Sequence, residues 1–187
     1  MSKRADGVPG RDVNGKAAAS QPTILILGLG NPLRKDDGIG PRVIEELEAR
    51  GLPEGVVTLD GGTGGLDLLR VLEEWDDVVV VDAADMDEST GGRAAGEFVR
   101  FNPMQVELSE SLDGLSLHHA GLAEVLALAR ALDRPLPSIV IIGVQPRDIG
   151  WGEGLSEEVE AQLPALLDAV LQEAAIRRHQ KIGAAHR

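Results

Sequence analysis

Short runs of apolar, mostly β-branched residues alternate with amphipathic stretches along most of the chain. This alternation is typical of an α/β layered domain. The runs at 23–29 and 77–82 are apolar at most consecutive positions, which predicts central strands buried on both faces. The run at 97–101 alternates between apolar and polar residues and predicts a half-exposed edge strand. The five predicted strands are 23–29, 56–59, 77–82, 97–101 and 138–144.

Stretches with apolar residues three or four positions apart predict four helices. Pro41 stands where the first turn of a helix tolerates proline, and Ser156 is a good N-cap that is followed by two glutamates. Pro164 predicts a kink or a break in the last helix. Two polar stretches, 85–96 and 109–116, are predicted loops. The predicted helices begin near residues 41, 65, 118 and 156.

The length of 187 residues suggests one domain, which the strand and helix pattern places at 23–176. Residues 1–22 contain no apolar run, so we expect a disordered leader and not a signal peptide. Residues 177–187 contain four basic and no acidic side chains, which predicts a basic C-terminal tail. No run approaches the roughly 18 apolar residues of a membrane span, so we expect no membrane partner and a cytoplasmic location.

Charge is distributed unevenly along the chain. The net charge is −13, but the segment 23–176 has 10 basic and 29 acidic side chains and a net charge of −19. Such a charge repels phosphate backbones, so we expect nucleic acids to be poor partners. Cations and basic protein segments are attracted.

The composition limits the possible chemistry further. The chain has no cysteine, which excludes a disulfide, a thiolate nucleophile and a thiolate metal ligand. With two Phe, two Trp and no Tyr, the core must be aliphatic. Any metal ion must be held by His, Asp or Glu side chains.

Carboxylates gather where the predicted strands end. Asp36 and Asp37 follow the first strand, Asp60 the second and Asp82 the third, while His118 precedes a helix. Ligands of such sheets bind beyond the carboxyl ends of the strands. Two carboxylates and one imidazole there would suit zinc, nickel or a similar divalent ion. Neither an HExxH nor a GxSxG motif occurs.

The glycine-rich turn after the first strand is open to two other interpretations. A dinucleotide-binding fingerprint requires a third glycine where this chain has Leu33. The stretch GLGNP at 28–32 also resembles the opening of peptidyl-tRNA hydrolases, which place a catalytic histidine soon afterwards. Here no histidine occurs before His118, and the charge of −19 disfavours a tRNA substrate.

Five sequence blocks, in order, resemble the hydrogenase maturation endopeptidases. This resemblance covers about residues 23–176 and implies a three-layer α/β/α sandwich with a central, mostly parallel five-stranded sheet. It also implies a peptidase that removes the C-terminal extension of the nickel-iron hydrogenase large-subunit precursor, just beyond the last cysteine motif, after nickel insertion. The blocks are GLGNPLRKDDGIG at 28–40, DGGT at 60–63, VVVVDA at 78–83, SLHHAGL at 116–122 and IIGVQP at 141–146.

The resemblance assigns roles to individual residues. The metal-contacting positions of the family fall on Asp37, Asp82 and His118, and Asp60 falls in a loop that shapes the cleft. Asp36 or Asp60 is a candidate general base. We expect nickel to arrive with the substrate, held partly by cysteines of the precursor, and other divalent ions also suit the donor set.

The expected partner is the hydrogenase large-subunit precursor, and we expect the chain to be a monomer. The loops at 85–96 and 109–116 are candidate substrate-gripping segments because they flank the predicted site. Two alternative functions remain: a peptidase of the same family that acts on a different precursor, and a non-catalytic metal-binding maturation chaperone.

Overall fold

A twisted sheet with helices on both faces forms the centre of the molecule. The computed structural model describes residues 23–86, 92–103, 115–117 and 120–185. Within these residues the strands are β1 Ile24–Gly28, β2 Val56–Asp60, β3 Asp77–Met86, β4 Phe98–Phe101, β5 Leu115–Leu117 and β6 Ser138–Val144. The helices are α1 Ile39–Arg50, α2 Asp67–Glu73, α3 Ala120–Ala131 and α4 Glu157–Ala185, and a 3₁₀ helix spans Lys35–Gly38.

The strand order confirms a mostly parallel sheet. The main path is β2-β1-β3-β6-β4, in which β1, β2, β3 and β6 are parallel. The predicted edge strand, β4, pairs antiparallel with β6. The short β5 pairs antiparallel with the end of β3 and was not predicted; it begins inside the predicted loop at 109–116, whose first six residues lie outside the described residues.

Two apolar cores confirm the three layers. Successive residues of a strand point to opposite faces, so the consecutive apolar positions of β1 and β3 supply both cores. One core packs β1 and β3 against α1 and α4, and the other packs them against α2 and α3. Ile26 and Val79 belong to the first core, whereas Leu27 and Val80 belong to the second. The core is aliphatic, as predicted.

Two predictions about the strands and helices differ from the structure. β3 continues four residues beyond 82, because Ala83 pairs with β6 and the residues after it pair with β5. α4 continues through Pro164, so the predicted break is wrong. Buried leucines on both sides of this proline keep the segment packed on the sheet, and such packing supplies most of the stability of a protein helix.

The predicted start of the basic tail, at 177, falls inside α4. Arg177 is a buried residue of α4, whereas the predicted tail would have been solvent-exposed from this residue onward. The predicted leader, 1–22, and the last two residues of the chain lie outside the described residues. No helix of the described segments is both long enough and apolar enough to cross a bilayer.

Candidate active site

The strand register brings the predicted acids to one edge of the sheet. Gly28, the last residue of β1, pairs with Asp60 on one side and with Val81 on the other. Asp82 is therefore the first residue of β3 that extends past β1. It is fully buried, and it shares its strand face with Val80, which belongs to the core beneath α2 and α3. The sequence predicts Asp82 as the last residue of its strand. In the structure Asp82 lies within β3, at the level where the neighbouring strand β1 ends.

Asp37 reaches the same edge from the loop after β1. It lies in the 3₁₀ helix, which contacts β3, and its side chain is buried. The backbone N–H of Asn31 donates to Asp37 Oδ2 over 3.1 Å. A carboxylate that accepts a backbone N–H is fixed in direction, and the loop thereby holds Asp37 above the sheet.

Glycine at two positions makes this close packing possible. At Gly40, in the first turn of α1, a Cβ would lie 2.1 Å from the carbonyl oxygen of Leu29 and 2.7 Å from that of Val81. At Gly30, where φ is +134°, a Cβ would lie 1.8 Å from the carbonyl oxygen of Asp37. All three contacts are with backbone oxygens, which cannot easily move away. The approach of the 3₁₀ helix and α1 to the strand ends therefore requires these two glycines.

Asp36 is buried, but its contacts differ from those of a general base. Its Oδ2 accepts from the backbone N–H groups of Arg147 at 2.8 Å and Asp148 at 2.9 Å. The backbone N–H of Ser156 donates to Oδ1 over 2.6 Å, and the Ser156 hydroxyl lies 2.9 Å from Oδ2. These four hydrogen bonds occupy the carboxylate, so the structure supports a structural role for Asp36 in place of the predicted proton transfer.

Asp60 lies at the exposed end of β2 and forms a local turn. Its Oδ1 accepts from the backbone N–H of Gly62 over 2.8 Å, which is an Asx-turn contact. The turn is joined to the loop after β1, because Gly61 N donates to Gly28 O and Gly30 N donates to Gly62 O, both over 2.8 Å. These contacts are those of a residue that shapes the cleft.

Two of the three predicted metal ligands lie among the described residues. His118 and its neighbour His119 lie outside the described residues, and α3 begins at Ala120 on the same sheet face as the Asp82 side chain. Among the described residues there is no group of three His, Cys, Asp or Glu side chains placed to hold a metal ion. The two buried carboxylates, Asp37 and Asp82, provide oxygen donors that fit two of the three predicted ligands.

The rim of the site contains contacts that sequence patterns did not indicate. Residues 33–35 pair with the loop after β6: Lys35 N donates to Gly152 O and Gly152 N to Leu33 O, both over 2.9 Å. The Arg34 guanidinium lies 5.9 Å from the ring centre of Trp151, which is 79% exposed. Hydrogen bonds from the Lys35 ammonium and from the Gly150 N–H hold the pKa of the Asp148 carboxyl below its usual range.

Gln145 joins the extended end of β3 to the strand beside it. Its Oε1 accepts from Met86 N over 2.7 Å, and its Nε2 donates to Asp85 Oδ1 over 3.2 Å. Part of the predicted gripping loop at 85–96 is thus strand β3, and 87–91 lie outside the described residues.

An open groove of about 580 Å³ runs beside the first loop. Pro32, Gly38 and Asp60 line it at the strand ends, while charged side chains line it from the amino-terminal halves of α1 and α4. Because Gly38 directly follows Asp37, the groove adjoins the segment that holds this acid.

Comparison with known proteins identifies the family. A family profile described as hydrogenase maturation protease matches residues 41–173. The hydrogenase expression/formation protein HupD of Bradyrhizobium diazoefficiens is 38% identical over 151 residues, which is 80% of this chain and 76% of that protein. The chain belongs to the hydrogenase maturation protease family. The hydrogenase 2 maturation protease of Escherichia coli is 34% identical over 79% of this chain and 88% of that protein.

Solved structures confirm the fold of the family. The hydrogenase maturating endopeptidase HybD from E. coli superposes with a TM-score of 0.66 at 34% identity, covering 84% of this chain and 93% of that one. A hydrogenase maturation protease HycI from Thermococcus kodakarensis superposes with a TM-score of 0.61 at 26% identity, covering 82% and 95%. The predicted family and its α/β/α fold are thus confirmed, and the family assignment decides against a peptidyl-tRNA hydrolase.

Proposed function

We propose that this protease-family member is an endopeptidase that removes the C-terminal extension of the nickel-iron hydrogenase large-subunit precursor after nickel insertion. The observation that carries the proposal is the pair of buried carboxylates, Asp37 and Asp82, which the loop after β1 and the adjacent parallel strand β3 bring to the carboxyl edge of the sheet. The names of the relatives, which are hydrogenase maturation proteins, support the same substrate.

Nickel acts here as part of the substrate. Asp37 and Asp82 provide oxygen donors, and the chain has no thiolate, so its own affinity for nickel is modest. Cysteines of the precursor supply the remaining ligands, and only a nickel-loaded precursor presents a complete site. When bound, the ion supplies Lewis-acid polarisation to the scissile peptide. His118 is the third protein ligand in this proposal.

The protein's own residues orient the peptide and accept a proton. Asp36 is occupied by four hydrogen bonds, and Asp60 holds a turn. Peptide hydrolysis adds one water across the scissile bond. In this proposal Asp37 or Asp82 would accept a proton from that water and pass it to the leaving amine, while the other acid and His118 hold the ion. The groove beside Gly38 accommodates the extended segment of the precursor.

Incubation of the purified chain with nickel-loaded precursor tests the proposal. Mass spectrometry should show loss of the C-terminal extension, and nickel-free precursor should stay intact. Binding of the precursor without any loss of mass would instead identify a non-catalytic maturation chaperone.

Variants of the site residues show whether they act as a unit. We expect Asp82→Asn and His118→Ala each to lower the cleavage rate at least about 100-fold, and the double variant to be little worse than either, because members of one catalytic unit are strongly non-additive. Asp168→Asn makes the same chemical change at an exposed position of α4 and should cleave normally. Normal cleavage by folded His118→Ala would contradict the assignment.

A further inference from the structure

The Asp36 carboxylate connects the first loop to a segment that is distant from it in sequence. Its four hydrogen-bond donors belong to residues 111 to 120 positions away, in the loop after β6 and at the start of α4. The main chain adds a fifth link, because Asp36 N donates to Asp148 O over 3.1 Å. Asp36 is only 1% exposed, so water does not substitute for these partners.

The chemistry of this cluster requires a carboxylate. All four contacts come from N–H or O–H donors, and an ionised carboxylate offers acceptors only. The carboxylate also lies beside Ser156, which directly precedes α4, so its negative charge meets the positive end of the helix dipole. The Ser156 hydroxyl donates to Asp36. An amide at this position would turn its own N–H₂ group toward one or more of these donors.

The same 3₁₀ turn carries Asp36 and Asp37. Whatever fixes the backbone of Asp36 also fixes the next Cα, and thus the direction from which Asp37 approaches the strand ends. The contact between Asn31 N and Asp37 Oδ2 reports this placement directly.

We propose that Asp36 is a positioning residue: it ties the first loop to the loop after β6 and to the start of α4, and so holds Asp37 in the orientation needed for cleavage. The proposal rests on the proposed function of Asp37 in precursor processing. Asp36 touches neither substrate nor metal in this role; it acts through its neighbour. Displacement of a reacting group by about 1 Å can cost about 100-fold in rate.

The principal test is the variant Asp36→Asn. We expect kcat for cleavage of nickel-loaded precursor to fall about 100-fold with a much smaller change in KM, because Asp37 is only one of several contacts to the bound precursor, whereas its misplacement directly affects the reacting atoms. Arg177→Ala is the matched structural control: it weakens the fold at the opposite end of the sheet and should leave kcat at 25 °C unchanged. An Asp36→Asn protein that stays folded and retains the kcat of the wild type would overturn the proposal.

A second readout does not depend on proteolysis. In ¹H–¹⁵N spectra of Asp36→Asn, the amide of Asn31 should shift and exchange faster with solvent, because its acceptor, Asp37 Oδ2, has moved. In Arg177→Ala the chemical shift and the exchange rate of the Asn31 amide should not change. If no variant or wild-type protein cleaves the precursor, this amide still decides the positioning role, so the two proposals fail separately.

Ser156→Ala covers the case in which Asp36→Asn does not fold. It keeps the carboxylate and removes one of its four donors. We expect a fall in kcat of about threefold to tenfold, again with a much smaller change in KM, and a smaller shift of the Asn31 amide. If Ser156→Ala kept the wild-type kcat and the wild-type shift of the Asn31 amide, the positioning role of Asp36 would be contradicted.

Discussion

The Arg177 guanidinium donates from Nη1 to Asp77 Oδ1 over 3.1 Å and joins the last helix to the amino-terminal end of β3. The same nitrogen reaches the carbonyl and hydroxyl of Ser138, at the start of β6. Nε donates over 2.9 Å to Glu173, one turn earlier in α4, and Arg100 of β4 donates to that carboxylate from the other side. This buried network closes the sheet at the end away from the candidate site.

Removing the central cation of this network should destabilise the fold. We expect Arg177→Ala to lower the free energy of unfolding by about 3 kcal/mol, because Asp77 and Glu173 lose their shared buried partner and keep only the more exposed Lys181 and Arg100. That corresponds to a fall in Tm of about 9 °C for a domain of this size. The measurement is thermal unfolding followed by circular dichroism.

The control for this prediction is an exposed ion pair of good geometry. Arg134 donates to both carboxylate oxygens of Glu73, over 2.6 and 2.9 Å, but the arginine is largely solvent-exposed. Arg134→Ala should change the Tm only slightly, since water replaces the lost partner. If Arg177→Ala and Arg134→Ala lowered the Tm equally, burial of the Arg177 network would add nothing to the stability of the fold.

The same network makes stability depend on pH. Hydrogen bonds from Arg100, and then from Arg177, hold the pKa of Glu173 below its usual value, although burial acts in the opposite direction. A pKa that is lower in the folded state stabilises the protein above the unfolded-state value of about 4.3, and this contribution is lost as the pH falls through the folded-state pKa. The stability difference between wild type and Glu173→Gln should therefore be constant above about pH 6 and shrink below about pH 4. Urea unfolding at several pH values measures it, and a difference that grows with acidity would contradict the assignment.

Much of the sheet could be predicted because its strands are buried on both faces. Continuous apolar runs such as 77–82 have few other stable arrangements, and turn residues mark where they end. Asp37 and Asp82 could be placed at one edge for the same reason, since parallel strands end together. The extension of β3 to Met86 could not be predicted from the sequence, because it depends on contacts with Gln145 and with β5, which lie far along the chain.

The role of Asp36 shows the limit of local patterns. Two adjacent acids after a strand are chemically alike in sequence, and either could face the site. Ser156 was recognisable as the start of a helix, but no local spacing connects it with an acid 120 residues earlier. The distinction between Asp36 and Asp37 follows from packing of distant segments, which only the folded structure shows.

Substitution of Gly40 tests the close approach of α1 to the strand ends. A glycine inside a helix is normally less stable than alanine by about 1 kcal/mol. Here the order should be reversed: Gly40→Ala should destabilise by about 3 kcal/mol, because the new Cβ would overlap the backbone of Leu29 and Val81. Ala49→Gly, at an exposed position of the same helix, should show the ordinary cost of about 1 kcal/mol. Denaturant unfolding should show that both variants are destabilised, although one gains and the other loses a Cβ. A stabilised Gly40→Ala would show that the strand ends yield easily.

The last prediction separates two roles of Asp60. A general base requires a carboxylate, whereas the turn requires only an acceptor oxygen for the N–H of Gly62. Asp60→Asn keeps that oxygen, so we expect cleavage of nickel-loaded precursor within about twofold of the wild-type rate. Asp60→Ala removes the acceptor and loosens the turn that is bonded to Gly28 and Gly30, and we expect a clearly larger loss. If Asp60→Asn is as inactive as Asp82→Asn while its circular dichroism spectrum and Tm stay at wild-type values, the carboxylate itself takes part in the reaction and the turn is not its main contribution.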